Sequence, residues 1–200
     1  MARPRQFDEK QVLNAVRDQF WDAGYAATSL EDLMRASGLG KGSLYAAFGD
    51  KRQLFLRVLR SYTDDGHDQL RQALAETSRA VDALRMLLEA PTDAPTGAAG
   101  ARRGCLMANS TCELGNADPE VLDHVHRAYE KSTALIADCV VRAQHEGDVP
   151  AEADPIALAR AILAAQQGIV FMSRTGLDTA TLTATARSLA TQLLPDHSGA

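Results

Sequence analysis

Apolar residues recur every three or four positions along most of this 200-residue chain, which is the spacing of helices that bury one face. The first such stripe consists of Leu13, Val16 and Phe20. Asp8 is placed to cap this helix and Gly24 is placed to end it. Alanine and leucine, both strong helix formers, are abundant throughout. We therefore predict an all-α protein.

The segment 28–55 predicts three short helical pieces joined by tight turns. Thr28 and Glu31 have the spacing of a capping box, which predicts the start of the first piece. Residues 37–40 contain two glycines, and such a break suits the elbow of a helix-turn-helix. The second helix is predicted over 41–48.

This second helix has an inner and an outer face. Leu44 and Phe48 are four residues apart and should point inward. The outward-facing side chains that can donate to phosphate oxygens are Lys41, Ser43 and Tyr45. The small Ala46 and Ala47 would let the helix approach DNA closely and touch thymine methyl groups. An ordinary helical hairpin with a solvated polar face would show a similar spacing.

Further basic residues flank this segment. Lys51 follows the capping residue Asp50 at a helix N-terminus, where backbone N–H groups already favour a phosphate. Arg3 and Arg5 precede the first helix, and they are either a frayed terminus or an arm that lies on DNA.

The segment strongly resembles the DNA-binding region of the TetR family of one-component transcriptional regulators. The matching residues are Gly38, Lys41, Gly42, Ser43, Leu44, Tyr45, Phe48, Lys51, Leu54 and Phe55, preceded by Phe20, Gly24, Tyr25, Thr28 and Ser29 in family positions. One departure is that Ala46 and Ala47 follow the tyrosine, where family members often carry aromatic or histidine residues. This departure leaves the operator sequence open.

The resemblance implies a three-helix DNA-binding head over 6–66, with its helix-turn-helix motif at 29–48. It implies a helical effector-binding and dimerisation domain over 67–195. The expected protein is a homodimeric repressor that binds a palindromic operator in double-stranded DNA and is released by a small-molecule effector. The residues expected to bind DNA are Thr28, Ser29, Lys41, Gly42, Ser43, Leu44, Tyr45, Ala46 and Lys51.

The rest of the chain also has a helical pattern. The predicted elements are a helix from Lys51 to about Thr77 with a bend or break at 63–68, a helix at 80–90, a loop at 91–104, and helices that start at Cys105, Pro119 and Pro155, the last followed by one more. The last two helices carry apolar seams. The seam residues are Leu158, Ala161, Ala165, Gly168 and Met172, and then Leu182, Ala186, Leu189 and Leu193. In the resembled family, the last two helices form a four-helix dimer interface.

Charge is distributed unevenly along the chain. The net charge is −5, but residues 1–60 carry +3 and residues 61–200 carry −8. A mildly basic head on an acidic body is typical of a small DNA-reading domain attached to another function. No run of 18 apolar residues and no signal peptide is found, so we expect a cytoplasmic protein that does not enter a membrane.

The effector site is predicted from inward-facing residues of mixed polarity, although core packing explains the same stripe. The candidates are Met107, Asn109, Thr111, Tyr129, Gln166, Phe171 and Met172. Catalytic motifs are absent from the sequence, and neither the histidines nor the cysteines have the spacing of a metal site, so we predict no enzyme activity, cofactor or metal.

Three cysteines in a chain without an export signal argue against structural disulfides. Cys105 follows two arginines and opens a predicted helix, a setting that favours the reactive thiolate. An alternative function is therefore a regulator that senses electrophiles or oxidants through Cys105. The simpler interpretation is that all three cysteines are small buried apolar residues.

Overall fold

The computed structural model describes residues 7–89 and 103–194, and all regular secondary structure in these two stretches is helical. The helices there are α1 (Glu9–Ala23), α2 (Leu30–Ser37), α3 (Lys41–Phe48), α4 (Lys51–Glu76), α5 (Ala80–Glu89), α6 (Leu106–Leu114), α7 (Pro119–His145), α8 (Pro155–Ser173) and α9 (Thr179–Leu193). The predicted all-α class is confirmed. Arg3, Arg5 and most of the predicted loop lie outside the described residues.

Several predicted helix ends are confirmed by their caps. The Asp8 carboxylate accepts hydrogen bonds from the N–H groups of Lys10 and Gln11 at the start of α1. Gly24 ends α1 with a φ of 83°, which side chains disfavour. Asp154 likewise caps α8 at its predicted start, and Asp178 caps α9, whose capping residue was not predicted.

The predicted capping box of Thr28 and Glu31 is wrong by one residue. Ser29 is the N-cap of α2, and it forms a capping box with Asp32. Thr28 is buried instead, with 1% of its surface exposed, and its hydroxyl donates to the carbonyl oxygen of Gly24 at 2.6 Å. Adjacent hydroxyl residues offer the same local signal, and here the burial of one of them decides which residue caps the helix.

Helix α4 runs without a break through the polar stretch 63–68, where we expected a bend or a break. The polar side chains that interrupt the apolar stripe are themselves buried and bonded. Thr63 donates to the carbonyl oxygen of Arg60 at 2.9 Å and lies 3.1 Å from His124 Nε2. His67, with 5% of its surface exposed, places Nε2 3.0 Å from the carbonyl oxygen of Ala128.

The described residues form two compact units. The first joins residues 7–65 with 106–124, and the second joins residues 66–89 and 103–105 with 125–194. Helix α6 and the first turns of α7 therefore pack with the N-terminal helices, although the sequence placed them in the effector domain. The domain limits given above, 6–66 and 67–195, stay a prediction.

The first unit is held together by aromatic and aliphatic residues from α1 to α4. Phe20 and Phe55 pack edge to face, with ring centroids 5.1 Å apart. Tyr25 lies 6.0 Å from Phe20 and 5.0 Å from Phe55. Leu33 and Leu44 are also fully buried. These contacts fix α2 and α3 on α1 and α4.

The second unit has its own core around α5, α7, α8 and α9. Its fully buried members include Leu84, Leu88, Ile136, Val140 and Ile162. Polar bonds secure the start of α5. The Glu146 carboxylate accepts from the Ala80 N–H at 2.7 Å, and Arg79 forms a salt bridge with the buried Asp148.

Candidate DNA-binding site

Helix α3 is anchored to the first unit by two buried residues. Leu44 is 1% exposed and Phe48 is 4% exposed, as their spacing predicted. The Phe48 ring also packs 6.1 Å from the Phe7 ring, with the Arg57 guanidinium over it at 5.2 Å. Gly38, with a left-handed φ of 67°, makes the sharp turn that joins α2 to α3.

The opposite face of α3 is open to solvent. The exposed residues there are Lys41, Gly42, Ser43, Tyr45 and Ala46. The Lys41 ammonium lies 5.9 Å from the centroid of the Tyr45 ring, so a positive charge and a phenol share one side of the helix. The structure thus brings five of the predicted DNA-binding residues together on one short helix.

Two residues expected to bind DNA are placed otherwise. The side chains of Thr28 and Leu44 are each 1% exposed, so both face the core rather than the surface. Ser29 is exposed, but its hydroxyl donates to Asp32 at 2.6 Å as part of the α2 cap. Among these three, only Ser29 presents a side chain to solvent.

Lys51 occupies the first position of α4. The helix start is capped reciprocally, since Asp50 accepts from the Gln53 N–H at 2.8 Å and Gln53 accepts from the Asp50 N–H at 3.1 Å. The Lys51 ammonium lies 4.5 Å from the centroid of the Tyr25 ring. Partial burial, and next the charge of Asp50, raise the pKa of the Tyr25 phenol, so the ring stays neutral at physiological pH.

Sequence reasoning did not predict that residues of α6 and α7 contact the N-terminal helices of the first unit. The Glu113 carboxylate accepts from the N–H groups of Tyr25, at 2.9 Å, and Ala26, at 2.6 Å. Arg52 binds Asp118 through two hydrogen bonds and also reaches Glu120, which pairs with Arg60. These partners lie 60 to 88 positions apart in the sequence, so no local sequence pattern predicts their contacts.

Two family matches account for most of the chain. Residues 12–58 match the family described as bacterial regulatory proteins, tetR family. Residues 80–189 match the family described as tetracyclin repressor-like, C-terminal domain. The chain belongs to the TetR family. The fold and the resemblance stated from the sequence are therefore confirmed.

The relatives of this TetR-family chain are transcriptional regulators. It is 28% identical over 179 residues to the uncharacterized HTH-type transcriptional regulator YezE of Bacillus subtilis, covering 89% of this chain and 92% of YezE. It is 28% identical over 178 residues to the HTH-type transcriptional repressor ComR of Escherichia coli, covering 88% of this chain and 83% of ComR.

A solved structure with operator DNA is also similar. It contains a cysteine variant of the TetR family transcriptional regulator CifR in complex with a 26-bp double-strand operator. The similarity has a TM-score of 0.79 at 28% identity and covers 94% of this chain and 98% of that one. The protein is therefore a transcriptional regulator that binds operator DNA. Its family and relatives are regulators and not enzymes.

The predicted effector residues of this TetR-family regulator are divided between the two units. Met107, Asn109 and Thr111 lie on α6 in the first unit and are partly buried. Tyr129 and Gln166 are partly buried in the second unit, where the Tyr129 hydroxyl donates to Gln167 at 3.4 Å.

Two of the predicted effector residues do not face inward. Phe171 is 63% exposed and Met172 is 39% exposed at the end of α8. The predicted inward orientation of these two side chains is therefore wrong, and their role in effector binding stays a prediction. Helical spacing places residues on one face but does not say whether that face meets the core or the surface.

The cysteines are free and differ in exposure. Cys105 and Cys139 are buried, whereas Cys112 is exposed. Burial raises the pKa of the Cys139 thiol. Cys105 directly precedes α6 and is 8% exposed, which does not favour its proposed role as a sensor. Within the described stretches, no group of three or more His, Cys, Asp or Glu side chains could hold a metal ion.

Proposed function

We propose that this regulator is a repressor that binds a palindromic operator as a homodimer, and that a small molecule bound in its C-terminal helical domain releases it. The observation that carries the proposal is the exposed face of α3, which presents Lys41, Ser43 and Tyr45 to solvent. The opposite face of the same helix is anchored by the buried Leu44 and Phe48. Such a helix can enter the major groove while its anchor residues keep its orientation fixed.

Each exposed residue of α3 has a specific role in this proposal. Lys41, Ser43 and Tyr45 donate to phosphate oxygens and set the position of the helix on the duplex. Gly42 and Ala46 are small enough to bring the helix backbone close to the bases, and the Ala46 methyl contacts a thymine methyl. Lys51 adds a phosphate contact at the start of α4, where the helix dipole also favours an anion.

Helix α8 supports the proposed dimer. It is long and apolar enough to cross a membrane by length and composition alone, yet only 22% of its most apolar 18-residue window is buried. Within the protomer it buries Ala159, Ile162, Ile169 and Ser173. The predicted seam residues on the adjoining face, Gly168 and Met172, remain exposed. A second copy would cover this apolar face.

Gly168 lacks a side chain, so another helix can approach this face of α8 closely. Among the described residues, a Cβ atom built at this glycine would meet no atom within 4 Å beyond its own neighbours in the helix. This space is available to a helix of a second protomer. The exposed Phe171 and Met172 at the end of α8 extend this apolar surface.

The repressor role is supported by the names of relatives. ComR and BdcR of Escherichia coli and DhaR of Mycobacterium are each named as HTH-type transcriptional repressors. Dimers read half-sites at a fixed separation, so an effector that changes the distance between the two heads weakens both contacts together. A cytoplasmic location follows from this role.

Selection of DNA by the purified protein tests the proposal. Duplexes that the wild-type protein enriches from a randomised pool should contain an inverted repeat, and light scattering should show a dimer at micromolar concentration. Ala46→Met should enrich a different duplex. A monomeric wild type, or enrichment without an inverted repeat, would refute the homodimer model. Mass spectrometry of small molecules that co-purify with the protein addresses the effector.

A further inference from the structure

The carboxylate of Glu113, on α6, binds the backbone of the turn between α1 and α2. Glu113 lies at the end of α6, and its two oxygens accept from the consecutive backbone N–H groups of Tyr25 and Ala26. These N–H groups follow the end of α1 and precede α2, so the chain itself leaves them without a helical partner. An ionised acceptor makes such hydrogen bonds stronger than neutral pairs.

Gly24 makes room for this carboxylate. A Cβ atom at position 24 would lie 3.0 Å from Glu113 Oε2, closer than ordinary van der Waals contact. The φ of 83° at Gly24 also turns the two following N–H groups outward toward α6. The turn is thus shaped to receive an acceptor, and Glu113 supplies it.

The ring of Tyr25 connects this turn to the start of α4. It is held between Phe20 and Phe55, with centroid separations of 6.0 and 5.0 Å. The Lys51 ammonium also lies over this ring, 4.5 Å from its centroid. A cation over a neutral aromatic face is attracted to it, so the ring restricts where Lys51 can go.

We propose that Glu113 is a positioning residue for operator binding: its carboxylate fixes the Tyr25 turn, and the Tyr25 ring holds Lys51 in place to contact a DNA phosphate. The proposal rests on the proposed function, which assigns Lys51 to the DNA backbone. It assigns to α6 a direct influence on affinity for DNA, because all three residues lie in the first compact unit.

Considered alone, the charge of Glu113 predicts the opposite change in affinity for DNA when this residue is neutralised. Removing a negative charge from a unit that binds DNA should strengthen binding, because repulsion from phosphates decreases. Loss of the hydrogen bonds to the turn should instead weaken binding by releasing Lys51. The direction of the change therefore separates the two effects.

The test uses full-length protein and a labelled duplex that the wild-type protein has selected from a randomised pool. Glu113→Gln keeps the size of the side chain but sets an amide NH₂ against one of the two N–H donors. We expect it to weaken binding by roughly three- to tenfold. It should also lower the salt dependence by about one unit of slope, as loss of one phosphate contact does.

Two further variants are compared with Glu113→Gln. Tyr25→Leu removes the ring and should reproduce the effect of Glu113→Gln. Glu31→Gln removes an exposed carboxylate of the same unit without touching the turn, and it should leave affinity unchanged or increase it. A thermal unfolding curve for each variant confirms that the assays use folded protein.

A double-mutant cycle with Lys51→Ala tests whether Glu113 affects DNA affinity through Lys51. If Glu113 acts through Lys51, Glu113→Gln should cause no further loss of affinity when Lys51 is already alanine. Equal losses in both backgrounds would overturn the proposal, and so would unchanged or tighter binding by Glu113→Gln. A lower melting temperature with an unchanged salt slope would also overturn it, since that is the effect of a purely structural bond.

Failure of the proposed function would be seen separately. A wild-type protein that selects no duplex would refute the repressor model before any variant is compared. A wild type that selects a palindrome, together with a Lys51→Ala variant that keeps full affinity and slope, would overturn the inference about Glu113 and the Lys51 contact on which it rests, and would leave the homodimeric repressor model standing.

Discussion

The guanidinium group of Arg52, in the first turn of α4, holds the carboxylate of Asp118 through two hydrogen bonds. Arg52 Nε lies 2.6 Å from Asp118 Oδ2, and Arg52 Nη2 lies 2.8 Å from Asp118 Oδ1. Asp118 also accepts from the N–H groups of Glu120 and Val121 and so caps α7. One carboxylate therefore both starts α7 and ties it to the DNA-binding unit.

This pair should make stability depend on pH. The Arg52 guanidinium, and next the backbone N–H of Val121, hold the pKa of Asp118 below its usual value. The contribution is therefore fully present above the unfolded pKa of about 3.9 and is lost as the pH falls toward the lower native pKa. Asp118→Asn, which retains an oxygen for the cap, should lower the melting temperature at pH 7.

Melting curves from pH 7 to pH 3 measure this effect. The difference between the wild type and Asp118→Asn should shrink below about pH 4, because the Asp118 carboxylate of the unfolded chain then takes up a proton while the native carboxylate stays ionised to lower pH. Asp118→Ala should lose a further amount of about 1 kcal/mol of unfolding free energy, since the cap is gone as well. A difference that persists undiminished at pH 3 would contradict the assignment to the ion pair.

Lys41 should contribute to affinity on every DNA sequence. Its ammonium is exposed on α3 and is expected to neutralise one phosphate. Lys41→Ala should therefore weaken binding uniformly and reduce the salt dependence by about one unit of slope. Gel shifts over a salt series measure both. Lys131→Ala, an exposed lysine on α7, is the control, and an unchanged slope for Lys41→Ala would show that α3 is wrongly placed on DNA.

Gly168→Leu should separate the proposed dimer. The protomer has open space at this position, so a larger side chain does not disturb its own core. At a close helix interface the same side chain costs about 1–3 kcal/mol through overpacking. Light scattering should then show a shift toward monomers at micromolar concentration, and operator affinity should fall. Ala134→Leu, at an exposed position of α7, should remain dimeric, and a dimeric Gly168→Leu would move the interface away from this seam.

Thr28 should matter for folding and not for contact with DNA. Its buried hydroxyl donates to the Gly24 carbonyl, so Thr28→Val removes one hydrogen bond and keeps the volume of the side chain. We expect a loss of about 1 kcal/mol of unfolding free energy, measured by denaturant titration. The salt dependence of DNA binding should stay unchanged, and a reduced slope would restore Thr28 as a phosphate contact.

The three cysteines should react in order of their exposure. Cys112 is exposed and should be alkylated first at neutral pH, followed much later by the buried Cys105 and Cys139. Raising of the Cys139 pKa by burial further slows its reaction, because the thiolate is the nucleophile. Timed alkylation with mass spectrometry gives the order. Preferential modification of Cys105 that also releases DNA would revive the cysteine-sensor alternative.

The local features of this protein were determined by its sequence. The stripe of Leu13, Val16 and Phe20 predicted α1, and the Asp-Pro pairs at 118–119 and 154–155 predicted the starts of α7 and α8. Caps and helical stripes depend on residues within a turn or two of one another, so they can be read from a single sequence. The residues that resemble the TetR family lie in this same local segment.

Only the tertiary structure decided which chemically similar residues became buried. Thr28 and Ser29 stand side by side, and packing of Thr28 against Gly24 left Ser29 to cap α2. The same holds for α8, whose apolar residues divide into a buried face and an exposed face that includes Phe171. Burial depends on the whole arrangement of helices, which periodicity does not specify.

The contacts of α6 and α7 with the N-terminal helices of the first unit were also decided by the tertiary structure alone. Glu113 meets Tyr25 across 88 positions, and Asp118 meets Arg52 across 66. An acidic residue on a helix has many basic or N–H partners available elsewhere in a chain, and its own neighbours do not select among them. Folding selects one by bringing α6 against the end of α1, and for this reason the positioning role of Glu113 could be inferred only from the structure.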